Sequence, residues 1–469
     1  MVTNNIRLEA GFDKNLVEAD SYSTRYLVAE MDLDEIKQNT TKSIPLNLAI
    51  VIDHSGSMAG QPLDAAKKSA IGIVECLRKD DILSVVSFDD QVTLHLDGMT
   101  IDNTARDKAI KEIESIRPGG ATNLSDGWFE GAKRVALTME NNKTTTVNSV
   151  LLLTDGMGNV NLTEPDLLAT HANELLQRGI SSSVIGIGPG YHSKQVSAIA
   201  NSGGGSLHHA SLSHEIIEIV SGEMSSLKDV SASNLRLRLD VSEGVSVTNF
   251  NGFPRRDVGK HSSEFTLGRI VKGIKKEAVF MIELMPEKLY TKFDIGITLS
   301  FTDPSNSQNI INDKIIRQIN VETSENNRNQ RRNIDLSKKV VKTWHSWILH
   351  NGISYNDVGS YKQARDFIIK QKFLMEDYCF GLSGCERLID ELDQALRKID
   401  KPISTHKKKE ALNLYHKRAW KDDEFRSPEI YELNRNIWDE EDEEIENKSV
   451  GRNIWSEIKN RIINKQSKV

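Results

Sequence analysis

The chain has 469 residues, more than one ordinary hydrophobic core organises, so about three domains, or two with appended helices, are expected. Lys and Arg number 60 against 67 for Asp and Glu, and the formal net charge of −7 leaves no overall basic footprint, which disfavours nucleic acid as a partner. Cys76, Cys379 and Cys385 are too few and too scattered for a disulfide framework or a structural zinc site. No stretch approaches the roughly 18 to 20 apolar residues of a membrane span, so a cytoplasmic protein is expected.

Met1 to Ala10 lacks the basic and apolar regions of a signal peptide, and Ile6 to Met31 reads as two β-rich stretches too short to fold alone. A polar linker follows from Asp32 to Lys42. From Leu46 the texture changes to apolar runs alternating with amphipathic helical spacing. Strands are predicted at Leu46 to Ile52, Ile82 to Phe88, Val92 to Leu96, Ser149 to Thr154, Ser181 to Ile187 and Ser206 to Ala210. Helices are predicted at 63–77, 105–116, 124–139, 162–178, 192–201 and 213–227. This alternation over residues 44–226 predicts an α/β unit with a doubly wound, mostly parallel sheet covered by helices on both faces.

Beyond Lys228 the helical period gives way to short alternating runs, which predict an accessory β-sandwich over 227–323, completed by the N-terminal strands of 1–43 at an open edge. The polar stretch Thr323 to Asn333 separates it from a C-terminal helical region at 334–422, with helices at about Leu336 to His350, Tyr355 to Met375 and Gly384 to Ile399. Residues 423–469 form a charged tail with an acidic run from Asp439 to Glu444.

The chemistry concentrates in three short motifs. Asp53-His54-Ser55-Gly56-Ser57 is a D-x-S-x-S at the carboxyl end of the first central strand, where open α/β sheets bind ligands. Its hard oxygens, only one of them a full anion, suit magnesium, with manganese or calcium as alternatives. Gly119-Gly120-Ala121-Thr122 precedes a helix, and Leu151 to Gly156 (LLLTDG) places Asp155 at the end of a second central strand. A lone D-x-S-x-S is more simply a capped helix start. Three motifs in register favour a metal site.

Together these residues resemble the metal-ion-dependent adhesion site of von Willebrand factor A (VWA) domains. The resemblance implies that Ser55, Ser57 and Thr122 touch the ion while Asp53 and Asp155 act largely through water. Neutral hydroxyls leave the cation a strong Lewis acid that seeks a carboxylate from outside, so the implied partner is a protein presenting Asp or Glu. The stretches Tyr22 to Ala29, Met58-Ala59-Gly60, Arg178 to Gly188 and Gly203 to His209 narrow the resemblance to bacterial cytosolic VWA proteins that continue into a β-sandwich and helices, and to the core of inter-alpha-trypsin inhibitor heavy chains.

Other signals weigh less. Gly186 to Gly190 reads as a turn, since it lacks the context of a phosphate loop, and no G-x-x-x-x-G-K-[ST] occurs. His54 beside Ser55 is a poor geometry for a general base, His208 and His209 point to opposite faces of a strand, and Cys379 and Cys385 are expected as buried thiols. In the tail, Arg435-Asn436-Ile437-Trp438 recurs as Arg452-Asn453-Ile454-Trp455, each copy within helical apolar spacing. Ile437, Trp438, Ile454 and Trp455 are therefore candidate docking residues, either on this chain's own body or on another subunit. The expected function is a non-enzymatic, metal-dependent scaffold or regulatory subunit, with oligomerisation open. Its alternatives are a regulator of an AAA+ ATPase or kinase/phosphatase system and, last, a hydrolase using Ser55.

Overall fold

The computed structural model describes residues 6–33, 44–141, 146–156, 158–187, 193–210, 222–224, 227, 230–271, 274–303, 308–312, 314–404, 407–408 and 415. The expected helix at 213–227 and residues 409–422 of the expected helical region lie outside them except at isolated positions. Entirely outside fall the acidic run and the tail residues Ile437, Trp438, Ile454 and Trp455.

Three strands open the fold: β1 (Ile6–Phe12), β2 (Leu16–Glu18) and β3 (Ser23–Leu33). The α/β unit follows with β4 (Leu46–Asp53), α1 (Gln61–Cys76), β5 (Ile82–Phe88), β6 (Val92–Thr100), α2 (Asn103–Ser115) and α3 (Leu124–Asn141). It continues through β7 (Val147–Thr154), α4 (Pro165–Gln177), β8 (Ile180–Ile187), α5 (Ser193–Ser202) and β9 (Gly204–Ala210). Its sheet has the order β6-β5-β4-β7-β8-β9, parallel throughout except for β6, which runs antiparallel to β5.

All eight residues of β4 are buried because helices cover both faces. Leu48, Ile50 and Ile52 pack with Ala66, Ile73 and Ile113 of α1 and α2, whereas Ala49 and Val51 pack with Trp128 and Val135 of α3. Gly131 lets α3 approach this closely, since a Cβ there would lie 2.4 Å from Val51 Cγ2. The chain leaves β4 toward β5 on one side and reaches β7 on the other, so the carboxyl end of β4 is the switch point of the sheet.

The second unit holds β10 (Val230–Val241), β11 (Val245–Asn249), β12 (Arg255–Gly259), β13 (Ser262–Val271), β14 (Lys276–Leu284), β15 (Lys292–Asp303), β16 (Gln308–Ile311) and β17 (Ile315–Glu322). One sheet has the order β1-β3-β14-β11, and the other β12-β13-β10-β15-β17-β2, with β16 paired to β15. The two share a core in which Phe265 and Phe280 meet edge to face at 5.0 Å between ring centres. The N-terminal strands do more than accept an open edge. β3 lies inside its sheet between β1 and β14, while β2 pairs in parallel with β17 in the other sheet. Without them the smaller sheet would be the pair β14-β11, and an isolated pair is marginal.

Helices α6 (Ser324–Asn329), α7 (Ile334–Asp357), α8 (Tyr361–Cys379) and α9 (Glu386–Lys398) complete the fold. Helices α7 to α9 cover the outer face of the β1-β3-β14-β11 sheet, where Tyr26, Val28 and Val279 pack with Phe250, Val340, Trp344 and Ile348. Phe250 and Trp344 stack at 5.4 Å. This cover explains the unbroken buried run Tyr26 to Ala29.

Two expectations fail here. Thr323 to Asn333 is not merely a spacer, because Thr323 Oγ1 accepts from Asn326 N at 3.2 Å and starts α6. The break expected after His350 falls instead at Gly359, whose φ of 75° ends α7. Gly352 stays helical and serves close packing, since a Cβ there would lie 2.6 Å from Ile368 Cδ1 of α8.

The α/β unit docks on the sandwich through its edge strand. Gly204 of β9 (φ 66°) and Gly268 of β13 (φ 82°) bring two backbones together, and a Cβ on Gly268 would lie 3.2 Å from Gly204 O. Beside them the carboxylate of buried Glu223 accepts from Arg269 at 2.8 Å and lies 3.1 Å from His208 Nε2. His208 thus sits in a domain contact, in keeping with a structural role.

Candidate metal centre

Asp53 is the last residue of β4 and is fully buried. Its Oδ1 accepts from Ser55 N at 2.9 Å, which curls the chain into a 3-10 turn at Gly56–Met58 and brings Ser55 Oγ to 3.2 Å from Ser57 Oγ. Ser55 is buried and Ser57 exposed, so the hydroxyl pair spans the rim of the site.

The Gly119 to Thr122 loop is tied to this turn by backbone alone. Gly119 N donates to His54 O at 2.7 Å, and Gly56 N donates to Gly120 O at 2.8 Å. Thr122 is buried, and its backbone is held by the loop after β7: Asn159 N donates to Thr122 O at 3.0 Å, and Thr122 N donates to Asn159 Oδ1 at 3.1 Å. Asp155 follows β7 directly and is 7% exposed, yet its Oδ1 has no hydrogen-bond partner among the described residues. A buried carboxylate oxygen left in that state is costly unless a cation or water satisfies it.

Residues outside the expected five also shape the centre. Thr154 Oγ1 donates to Asp53 Oδ2 at 2.6 Å and accepts from Gly156 N at 2.8 Å. Asp89, just past β5, accepts from Gly120 N at 2.9 Å and from Gln91 N at 2.8 Å. Thr154 was legible as the neighbour of Asp155 in the LLLTDG run, but Asn159 and Asp89 carry no local signal.

Burial pushes the Asp53 carboxyl up to about 6, with the Asp155 charge adding to the rise and hydrogen bonds from Thr154 and Ser55 opposing it. For Asp89, burial acts upward too, but the N–H groups of Gln91 and Gly120, with His54, prevail and hold it below the usual range. Among the described residues no group of three or more His, Cys, Asp and Glu is placed to hold a metal. Any cation site here therefore depends on hydroxyls, which suits a hard ion and not a soft one.

Residues 47–220 match the family profile of the von Willebrand factor type A domain. The chain carries a VWA domain. An uncharacterized protein of Synechocystis sp. is 27% identical to this chain over 297 residues, covering 60% of this chain and 68% of its own. Inter-alpha-trypsin inhibitor heavy chain H3 of Pongo abelii is 32% identical over 128 residues, which are 26% of this chain and only 14% of that one. A von Willebrand factor type A structure from Catenulispora acidiphila superposes with a TM-score of 0.62 at 15% identity, covering 84% and 90% of the two chains. The ArnB paralog VWA2 from Sulfolobus acidocaldarius gives 0.54 at 16%, covering 87% and 98%. At such identities the likeness shows the fold, a mixed α/β VWA unit with further sheets and helices. No helix among the described residues is long and apolar enough to cross a membrane.

Proposed function

We propose that this VWA protein binds a partner protein through a divalent cation, magnesium first and manganese or calcium as alternatives, held by Ser55, Ser57 and Thr122 with Asp53 and Asp155 behind them. The observation that supports it most is the buried Oδ1 of Asp155, unpartnered among the described residues and close enough to Asp53 for its charge to raise that carboxyl. The bound ion would supply a Lewis-acidic position for an Asp or Glu of the partner. On this reading the chain is a binding module of the cytoplasm and not an enzyme. The pairing of the Ser55 hydroxyl with Ser57, and a His54 Nδ1 without a hydrogen-bond partner among the described residues, support this reading over a Ser–His hydrolase.

The test has two stages. Chelator-stripped protein is titrated with magnesium by calorimetry, where one site is expected in the wild type and none in Asp155→Ala. Pull-downs with magnesium, with EDTA and with Asp53→Ala should then lose the same partner in the last two; a partner retained equally in all three would sink the mechanism.

A further inference from the structure

Outside the α/β unit, a cavity of about 710 Å³ opens where the β1–β2 turn, β17 and the start of α7 meet. Three cations line it: Lys14, Arg317 and Arg331. None has a carboxylate within ion-pairing distance among the described residues, and Lys14 and Arg331 make no side-chain hydrogen bond there. Arg317 is fixed in place, its Nε donating to Ala10 O at 2.7 Å.

The surroundings add positive charge, which the neighbouring Asp13 offsets only in part. Burial, then the guanidiniums of Arg25 and Arg332, hold the Lys14 ammonium below its usual range. Arg332 is spent on the Tyr378 ring, 4.0 Å away. The acidic lining residue, Asp13, turns its carboxylate to Tyr26 N at 2.8 Å, and burial raises its pKa against the pull of that hydrogen bond and of Arg25. Asn333 caps α7, whose positive dipole end borders the same space.

We propose that this cavity binds a phosphorylated small molecule, with the phosphate held by Lys14, Arg317 and Arg331. A doubly charged phosphate answers three unpaired cations better than a single carboxylate, and guanidinium forks match its oxygens. The volume lies in the range of small-ligand sites. The amides of Asn15 and Asn320 offer partners for ligand hydroxyls, and Ile316, 55% exposed, gives an apolar wall.

The experiment titrates the full chain with ribose 5-phosphate, inorganic pyrophosphate and, as the uncharged control, ribose, in low salt with EDTA. Chelation removes the VWA metal centre from the result, so failure here leaves the proposed function untouched. The comparison protein is Lys14→Ala with Arg331→Ala, whose folding is checked by its thermal transition. Saturable binding of either phosphate compound, weakened at least about tenfold in the double variant and absent for ribose, is the expected result. No saturable binding at millimolar ligand, or equal affinity in the double variant, would overturn the proposal.

Discussion

Thr154 Oγ1 donates to Asp53 Oδ2 across 2.6 Å, joining residues 101 positions apart in the chain and locking the ends of β4 and β7 together. The same hydroxyl accepts from Gly156 N, so one side chain sets both the carboxylate behind the hydroxyl pair and the turn that carries Asp155. Thr154→Val keeps the shape but strips both hydrogen bonds. It is expected to weaken magnesium binding by roughly 10- to 100-fold, as loss of a group that orients metal ligands does. It should also cost about 1 to 3 kcal/mol of stability, because two buried polar groups lose their partner. Calorimetric titration and urea unfolding check the two parts separately.

On the proposed function, the raised pKa of Asp53 makes cation binding depend on pH. Above about 6 the buried carboxyl is charged in the metal-free fold, and that charge costs stability which a bound cation recovers. Below it the proton competes with the ion. Magnesium should therefore raise the melting temperature more at pH 7.5 than at pH 5, and the wild type should release protons on binding near pH 6; equal shifts at both values would contradict the assignment of Asp53.

The contact between the VWA domain and the sandwich depends on a buried charge. Glu223 accepts from Arg269 at 2.8 Å with both residues nearly inaccessible. Glu223→Ala takes this partner from the buried Arg269, which keeps Ser206 Oγ at 3.1 Å, and is expected to cost about 1.5 to 3 kcal/mol. Urea unfolding of the variant should show this loss, and limited proteolysis should cut between the two units sooner.

His350 stacks on Tyr415 at 4.2 Å between ring centres, and burial lowers its pKa from 6.5 to about 4. The unfolded chain takes up the proton near 6.5 and the folded chain only near 4. Stability is thus fully present above 6.5 and falls by up to about 3 kcal/mol as pH drops through that window. His350→Gln should flatten that part of the stability profile. A wild-type profile already flat between pH 6.5 and 4, after the carboxylates are accounted for, would count against a neutral buried ring.

Much of the architecture was legible because its causes are local. The continuous apolar runs of β4 and β7 mark strands buried on two faces, and the alternating runs beyond Lys228 mark strands buried on one. Helix boundaries were read less well. Asn351-Gly352 looks like a stop, yet the helix continues, because the missing side chain is what lets Ile368 approach.

What the amino-acid sequence by itself determined is the α/β character of residues 44–226 and the candidacy of Asp53, Ser55, Ser57, Thr122 and Asp155, since strand period and strand-end polar motifs are written within a few residues of one another. What only the tertiary structure decided is which distant groups meet. Asn159 against Thr122, β3 inside a sheet completed by β14, and Lys14 beside Arg317 and Arg331 each join segments from separate parts of the chain. Such meetings depend on sheet order and on which faces are covered, and no local period records either.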